Sequence, residues 1–172
     1  PLYDYKEAEK LKETTDLMNI NLDKLIKAAK ENDVILDATI LVSISGIDNK
    51  EDKKNQHVYD ITKKLYNAGV KIAAGTDWFN LPGNKFPPLF DEMDLVVEKY
   101  GMSNIGVLRA TTIIAAETFA GQDKKGSIAN GKNADIINLD ANPIDDIKNI
   151  RKINRVIKKG KTINPVERQA LH

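Results

Sequence analysis

A short stretch, residues 70–77, carries the first group that could do chemistry. Residues 70–74 form a run that is apolar apart from one lysine, and Gly75 and Thr76 then lead to Asp77. A buried strand that leaves through a tight turn presents its next polar side chain at the carboxyl end of the strand. In α/β folds, ligands bind and catalytic side chains lie at this edge. Asp77 is therefore a candidate catalytic carboxylate.

The residues around Asp77 have two interpretations each. An aspartate after Gly-Thr also commonly caps the turn that follows it. Trp78 and Phe79 come next in the chain and could line a substrate pocket, or they could pack on the loop that they begin. Thr39 follows the preceding predicted strand and could contact substrate, although such hydroxyls more often satisfy backbone groups of loops.

The elements that must position Asp77 alternate along the chain. Asn21 is a predicted N-cap, and apolar residues spaced by three and four predict a helix after it. Residues 34–45 are mostly apolar and β-branched and predict a buried strand that runs into a loop ending at Gly46. Val58, Ile61, Leu65 and Ala68 predict one face of a second helix, before the strand at residues 70–74. The order helix, strand, helix, strand predicts a parallel sheet with right-handed crossovers.

The rest of the chain predicts further helices, followed by a region of short strands and turns. Helices are expected over residues 89–100, ended by Gly101, and from a Ser103 cap to Gly121. A strand is expected at residues 136–140, and a hairpin turns at Lys159-Gly160. We therefore divide the chain into an α/β part, residues 1–121, and a small β-subdomain, residues 122–172.

Composition excludes several classes of protein. The 172 residues carry a net charge of +1, so no electrostatic footprint for nucleic acid or an anionic membrane is present. No stretch reaches the roughly 20 apolar residues of a membrane span. The absence of cysteine excludes disulfides and thiolate metal sites. We expect a cytoplasmic protein, with an export signal upstream of Pro1 left open.

Several motifs in series resemble the C-terminal portion of the amidohydrolase superfamily, in its imidazolonepropionase and Xaa-Pro dipeptidase-like branch. They are AGVKIAAGTD, NIGVLRATTIIAAETFA, KGSIANGKNADIINLDANP and INRVIKKGKTI. The resemblance implies an α/β fold: the last strands and helices of a (β/α)8 TIM-like barrel, with part of a small β-sandwich. It also implies that Asp77 is the metal ligand and general base of the last strand, with Trp78, Phe79 and Thr39 near the substrate.

The sequence departs from the family pattern in its histidines. It contains two, His57 and His172, and no His-x-His pair. We therefore expect a fragment that lacks most metal ligands and is inactive alone. The resemblance implies that the full-length enzyme binds a divalent metal, with zinc expected, and hydrolyses C–N bonds of cyclic amides or dipeptides. The alternative is a non-catalytic α/β scaffold or partner-binding module. Because two barrel strands cannot close a barrel, we expect a homo-oligomer or association with the missing N-terminal half.

Overall fold

The computed structural model describes residues 21–41, 53–77 and 83–163. The helical elements are α1 (Leu22–Glu31), α2 (Lys53–Asn67), α3 (Leu89–Tyr100), α4 (Asn104–Ala110), α5 (Ile113–Thr118) and a 3-10 helix (Ile147–Arg151). The strands are β1 (Ile35–Asp37), β2 (Lys71–Ala73), β3 (Ile136–Leu139), β4 (Ile153–Lys158) and β5 (Lys161–Ile163). The sequence also predicts a weakly amphipathic helix over residues 1–18, which lie outside the described residues.

Helix α1 begins where the sequence predicts. The Asn21 side chain accepts a hydrogen bond from the Lys24 amide at 2.9 Å, which satisfies one of the donors at the helix start. Ala29 is buried, and Leu22 and Ile26 pack against the core. The predicted N-cap is thus confirmed, and the predicted buried face is confirmed except at Leu25, which is 41% exposed.

Strands β1 and β2 form the predicted parallel pair. Ile35 pairs with Lys71 and Asp37 pairs with Ala73. The pairing continues one residue further, because the Ala38 amide donates to the Ala73 carbonyl at 3.0 Å. The carboxyl ends of both strands therefore lie at one edge of the sheet.

Helix α2 connects the two strands, but its buried face is rotated from the predicted one. Tyr59, Thr62 and Leu65 are buried, whereas Val58 is 40% exposed. The apolar spacing located the helix, but an aromatic and a threonine that the apolar pattern left out provide two of its core contacts.

The strand predicted at the start of residues 34–45 is confirmed but short, and a helical turn follows it where a loop was expected. It spans Ile35–Asp37, and the chain is already helical at Ile40 and Leu41. The amides of Ile40 and Leu41 donate to the carboxylate of Glu92 on α3 instead of to a neighbouring strand. This distant carboxylate favours a helical turn directly after the short strand. Residues 42–45 lie outside the described ranges.

The helix predicted from Ser103 to Gly121 is two helices. The Ser103 hydroxyl caps α4 as expected, by accepting from the Gly106 amide at 3.2 Å. Thr111 and Thr112 then interrupt the run, with their hydroxyls donating to carbonyls one turn back in α4. Threonine hydroxyls commonly bond backbone carbonyls in this way and compete with the hydrogen bonds of the helix backbone. The apolar residues between Ser103 and Gly121 therefore do not share one buried face, since Phe119 is 86% exposed.

Lys71, the polar residue in the apolar run, links three elements. Its ammonium contacts the carboxylates of Asp33 at 3.0 Å and Glu117 at 2.8 Å. The hydrogen bonds to Glu117 and Asp33 raise the pKa of Lys71 above its ordinary value. This charge cluster lies at the start of β2, away from the edge that carries Asp77.

The second sheet is antiparallel and has the order β3-β4-β5. Its hairpin turns at Lys159 and Gly160, both with positive φ (49° and 76°), as in a two-residue type I′ turn. Asp135 accepts a hydrogen bond from the Lys159 amide at 2.8 Å, which attaches the turn to the start of β3. The predicted strand and hairpin are confirmed.

The glycine-rich segment before β3 is built around one lysine. The Lys132 ammonium donates to the carbonyls of Gln122 and Lys125 and to the Ser127 hydroxyl. Gly126 has a φ of +84°, and a Cβ there would lie 2.8 Å from the Ala116 Cβ on α5. Lys132 therefore holds the segment by hydrogen bonds, and Gly126 allows it to pack closely on α5.

One hydrophobic core unites both helical and sheet elements. Its fully covered members include Ile72 from β2, Val96 from α3 and Val107 from α4. Ile147 and Ile150 of the 3-10 helix belong to the same cluster. None of the described helices is long and apolar enough to cross a membrane.

Arg151 fastens the end of the 3-10 helix to α3. Its guanidinium contacts Asp91 at 2.7 Å and Asp94 at 2.9 Å and lies over the Phe90 ring, 5.8 Å from the centroid. The planar guanidinium serves two carboxylates and an aromatic face at once. The 3-10 helix before β4 is therefore attached to α3 by ion pairs as well as by core packing.

Candidate functional site

The candidate site is the edge of the parallel sheet where β1 and β2 end. Thr39 lies two residues beyond β1, and Asp77 lies four residues beyond β2. Beyond β2, the Ala74 amide donates to the Ala110 carbonyl at the end of α4, at 3.3 Å. The register of the two strands places both segments at the same edge, as the sequence predicted.

Asp77 is exposed and adopts a left-handed backbone conformation, with φ of 45°. Aspartate tolerates this conformation better than most residues, because its short polar side chain makes local hydrogen bonds. The geometry matches a turn that projects a carboxylate beyond the sheet edge. Such a carboxylate is an acceptor for protons, amide donors or a cation.

Asp37 is a residue of this edge that the sequence reasoning missed. Its carboxylate accepts a hydrogen bond from the Gly75 amide at 3.0 Å, two residues before Asp77. A Cβ on Gly75 would lie 2.9 Å from both carboxylate oxygens. Gly75 is thus required by the close approach of Asp37. An acidic residue inside an otherwise apolar strand was the signal in the sequence.

Glu92 is the second missed residue. Its side chain is 0% exposed, and its two oxygens accept hydrogen bonds from the amides of Ile40 at 2.8 Å and Leu41 at 2.7 Å. Burial raises the pKa of Glu92 above its ordinary value, although the two amide hydrogen bonds oppose the shift. The signal for this residue was a glutamate next to Met93 on the apolar face of a predicted helix.

Tyr100 adds a third contact to the segment that leaves β1. Its hydroxyl donates to the Ala38 carbonyl at 3.3 Å, and its ring packs at a tilted angle on Tyr59. Burial raises the pKa of Tyr100 far above its ordinary value, so the hydroxyl stays protonated and able to donate. Thr39 is therefore flanked by residues that bond to α3 on both sides.

The structure brings together part of the predicted site. Thr39 is partly buried at the sheet edge, and Asp77 is exposed at the same edge. Trp78 and Phe79 lie outside the described residues, so their predicted contact with substrate stays a prediction. His57 lies on α2, but its side chain is likewise outside what the structure describes.

The described residues do not form a metal centre by themselves. Within residues 21–41, 53–77 and 83–163, no group of three or more His, Cys, Asp or Glu side chains could hold a metal ion. A zinc site in a protein usually has three or four protein ligands. Asp77 could supply one of them.

The comparison with solved structures matches the fold described above. A Xaa-Pro dipeptidase with bound methionine shares 30% sequence identity and a TM-score of 0.67, over 82% of this chain and 37% of that one. The ochratoxinase of A. niger shares 29% identity and a TM-score of 0.69, over 83% of this chain and 35% of that one. These neighbours imply an α/β fold of the TIM-barrel type.

Curated relatives match over shorter stretches. Ochratoxinase from Aspergillus niger is 34% identical over 108 residues, which are 60% of this chain and 22% of the relative. Imidazolonepropionase from Treponema denticola is 32% identical over 111 residues, which are 62% of this chain and 26% of the relative. The matches thus span about a quarter of the length of these relatives. The model of the amidohydrolase family matches residues 5–163, nearly the whole chain, and the protein belongs to that family.

Proposed function

We propose that this chain is the C-terminal part of a metal-dependent amidohydrolase that hydrolyses C–N bonds of cyclic amides or dipeptides. The observation that carries the proposal is the position of Asp77. It follows a strand of a parallel sheet, at the carboxyl edge, in a chain of the amidohydrolase family. Catalytic carboxylates of barrel enzymes lie at this edge.

The class of substrate is supported by the relatives. Ochratoxinase and Xaa-Pro dipeptidase are hydrolases that act on C–N bonds, and imidazolonepropionase is a further relative. This chain covers only part of the length of each relative. We therefore propose the type of bond that is hydrolysed and not a particular substrate. Thr39, Trp78 and Phe79 are the proposed substrate contacts of this chain.

The proposed role of Asp77 is to hold the attacking water and to move its proton. Asp77 is an exposed carboxylate with a short side chain, in the turn that follows β2, and it can accept a proton. It would take the proton of the water as the oxygen attacks the carbonyl carbon. It would then return that proton to the nitrogen that leaves.

The proposed enzyme binds a divalent metal, with zinc expected, since the amidohydrolase family is generally metal-dependent. A divalent metal lowers the pKa of a bound water toward about 7. Asp77 is the ligand that this chain would contribute. The described residues do not complete the ligand set, so the remaining ligands belong to parts of the protein outside them.

We further propose that the sheet of β1 and β2 is completed by other strands. Two paired strands leave one unpaired backbone edge each, and open edges attract further strands. The neighbouring strands would come from a second copy or from a polypeptide that carries the N-terminal half of the barrel. Elution of the isolated chain as a monodisperse 19.2 kDa monomer would contradict this.

We also propose a division of the chain into two parts. Residues 1–121 would be the end of the barrel, and residues 122–172 would be the C-terminal strands of a composite β-sandwich. The antiparallel order β3-β4-β5 supports the second assignment. The cytoplasmic location stays a prediction.

The test is an assay of the complete gene product against Xaa-Pro dipeptides and cyclic amides. Asp77→Asn removes the proton acceptor and should lower kcat by at least about a hundredfold. Asp145→Asn, which changes another exposed aspartate, should leave the rate unchanged. Equal rates for Asp77→Asn and the wild type would refute the catalytic role and favour the alternative, a non-catalytic scaffold or partner-binding module.

A further inference from the structure

A glutamate buried behind the sheet edge has no role in the chemistry proposed above. Glu92 lies on α3, is 0% exposed, and is 52 residues from Ile40 in the chain. Burying a carboxylate is costly unless its oxygens are hydrogen-bonded. Its two oxygens accept separate bonds, from the amides of Ile40 and Leu41.

These two amides belong to the start of a helical turn. The first amides of a helix have no acceptor within the helix, and a negative charge at this end is favourable. Glu92 thus acts as a cap supplied from another helix. The bonds are 2.8 Å and 2.7 Å long, at the short end of the range for N–H···O hydrogen bonds.

Helix α3 also binds Ala38, the residue before Thr39. The Tyr100 hydroxyl donates to the Ala38 carbonyl at 3.3 Å. The backbone is therefore bonded to α3 immediately before and immediately after Thr39. Position 39 has little freedom to move away from the sheet edge while both bonds exist.

We propose that Glu92 is a positioning residue of the candidate site: it holds the turn after β1 and so keeps Thr39 at the edge that carries Asp77. The anchoring itself stands on the hydrogen bonds and burial. The value of Thr39 to substrate binding rests on the proposed function. Glu92 acts through the backbone and does not touch substrate.

The titratable groups that face Glu92 come from three elements. They are Asp37 at the end of β1, Tyr59 on α2 and Tyr100 on α3, and the charge of Asp37 adds to the effect of burial on the pKa of Glu92. Because Glu92 and its two amides are in direct contact, ionisation of the carboxylate should be visible at both amides.

The first experiment uses the isotope-labelled chain and follows the amide resonances of Ile40 and Leu41 by NMR from pH 4 to 9. We expect both amide protons to shift with one shared midpoint, and Glu92→Gln to abolish that transition. Glu92→Gln should also raise amide exchange at residues 40 and 41 roughly tenfold, while exchange in β2 stays the same. Glu98→Gln, at an exposed glutamate of the same helix, is the matched control and should change neither.

The wild-type titration keeps the test meaningful if Glu92→Gln fails to fold. Ile40 and Leu41 amides that show no shared transition, or that exchange as fast as exposed amides, would overturn the anchoring. A structural role alone would give the same NMR result, so a second measurement is needed. In the complete gene product, Glu92→Gln should raise KM at least threefold with kcat changed less, whereas unchanged KM per folded molecule would overturn the positioning role.

The two measurements separate this inference from the proposed function. If the complete gene product hydrolyses no C–N bond, the proposed function fails, and a positive NMR result still establishes the anchor. If hydrolysis is present and depends on Asp77 but KM is insensitive to Glu92→Gln, the proposed function stands and the positioning role fails.

Discussion

The carboxylate of Asp37 accepts a hydrogen bond from the amide of Gly75, at 3.0 Å, and so joins the ends of the two parallel strands. The two residues are 38 positions apart in the chain. The bond fixes the turn through which the chain reaches Asp77. It also leaves no room for a side chain at position 75, since a Cβ there would lie 2.9 Å from both oxygens of the carboxylate.

Gly75→Ala should therefore displace Asp37 and break this hydrogen bond. We expect a loss of about 1–3 kcal/mol in the free energy of unfolding, measured with urea, because the added methyl overpacks a bonded contact. Gly121→Ala is the control, since its added Cβ would come no closer than 3.5 Å to another atom. In an Asp37→Ala background, Gly75→Ala should cost much less, and an undiminished cost would show that the clash lies elsewhere.

The stability of the protein should depend on the ionisation of Glu92. Its pKa is raised in the folded state, chiefly by burial, above the ordinary value of 4.5. The folded state then binds the proton more tightly than the unfolded state, so the contribution to stability is complete below pH 4.5. It is lost as the pH rises through the folded pKa. Each unit by which the pKa in the folded state exceeds that in the unfolded state corresponds to about 1.4 kcal/mol in the free energy of unfolding.

The measurement is the free energy of unfolding by urea for the wild type and Glu92→Gln at several pH values from 4 to 8. As the pH rises, the free energy of unfolding of the wild type should fall relative to that of Glu92→Gln, and the difference should then become constant. A difference that is constant over this range would mean that Glu92 titrates at its ordinary value.

Lys132→Met should loosen the glycine-rich segment without unfolding the protein. It removes three hydrogen bonds, to two carbonyls and the Ser127 hydroxyl, while it retains the aliphatic stem. Hydrogen exchange read by mass spectrometry should rise in residues 122–133 and stay unchanged in α3. Lys124→Met, at an exposed lysine of the same segment, should leave exchange unaltered. Equal exchange in both variants would show that Lys132 does not hold the segment.

The chain alone should not hydrolyse C–N bonds when Zn²⁺ is added. The described residues bring no set of three ligands together, and a single carboxylate does not hold zinc at a defined site. Assays with and without the metal should give the same background rate. Turnover that requires Zn²⁺ and disappears in Asp77→Asn would show that the chain completes a site by itself or by self-association.

Local signals in the sequence predicted much of the fold. Asn21 and Ser103 were identified as caps, Gly101 as a helix end, and Lys159-Gly160 as a hairpin turn, because each depends on bonds within a few residues. The parallel pairing of β1 and β2 followed from the alternation of strands and helices. The place of Asp77 at the sheet edge followed from the same pairing.

The errors come from contacts between distant residues. The loop expected after β1 is a helical turn instead, because Glu92 on α3 binds the amides of Ile40 and Leu41. Asp37 was overlooked because its partner is the backbone amide of Gly75, which no side-chain pattern in the sequence indicates. The helix from Ser103 was predicted as continuous because the apolar spacing survives the break at Thr111 and Thr112.

The distance in sequence between Ile40 and Glu92 also sets an order of events during synthesis. The bond joins residues 52 positions apart, so the turn after β1 emerges well before its cap has been made. At typical rates of translation, roughly 5–20 residues per second, the interval is about 3–10 seconds. The pairing of β1 with β2 waits as well, because Ile35 and Lys71 are 36 residues apart. A ribosome-bound nascent chain that ends before α3 therefore lacks the carboxylate that shapes the edge of its own sheet.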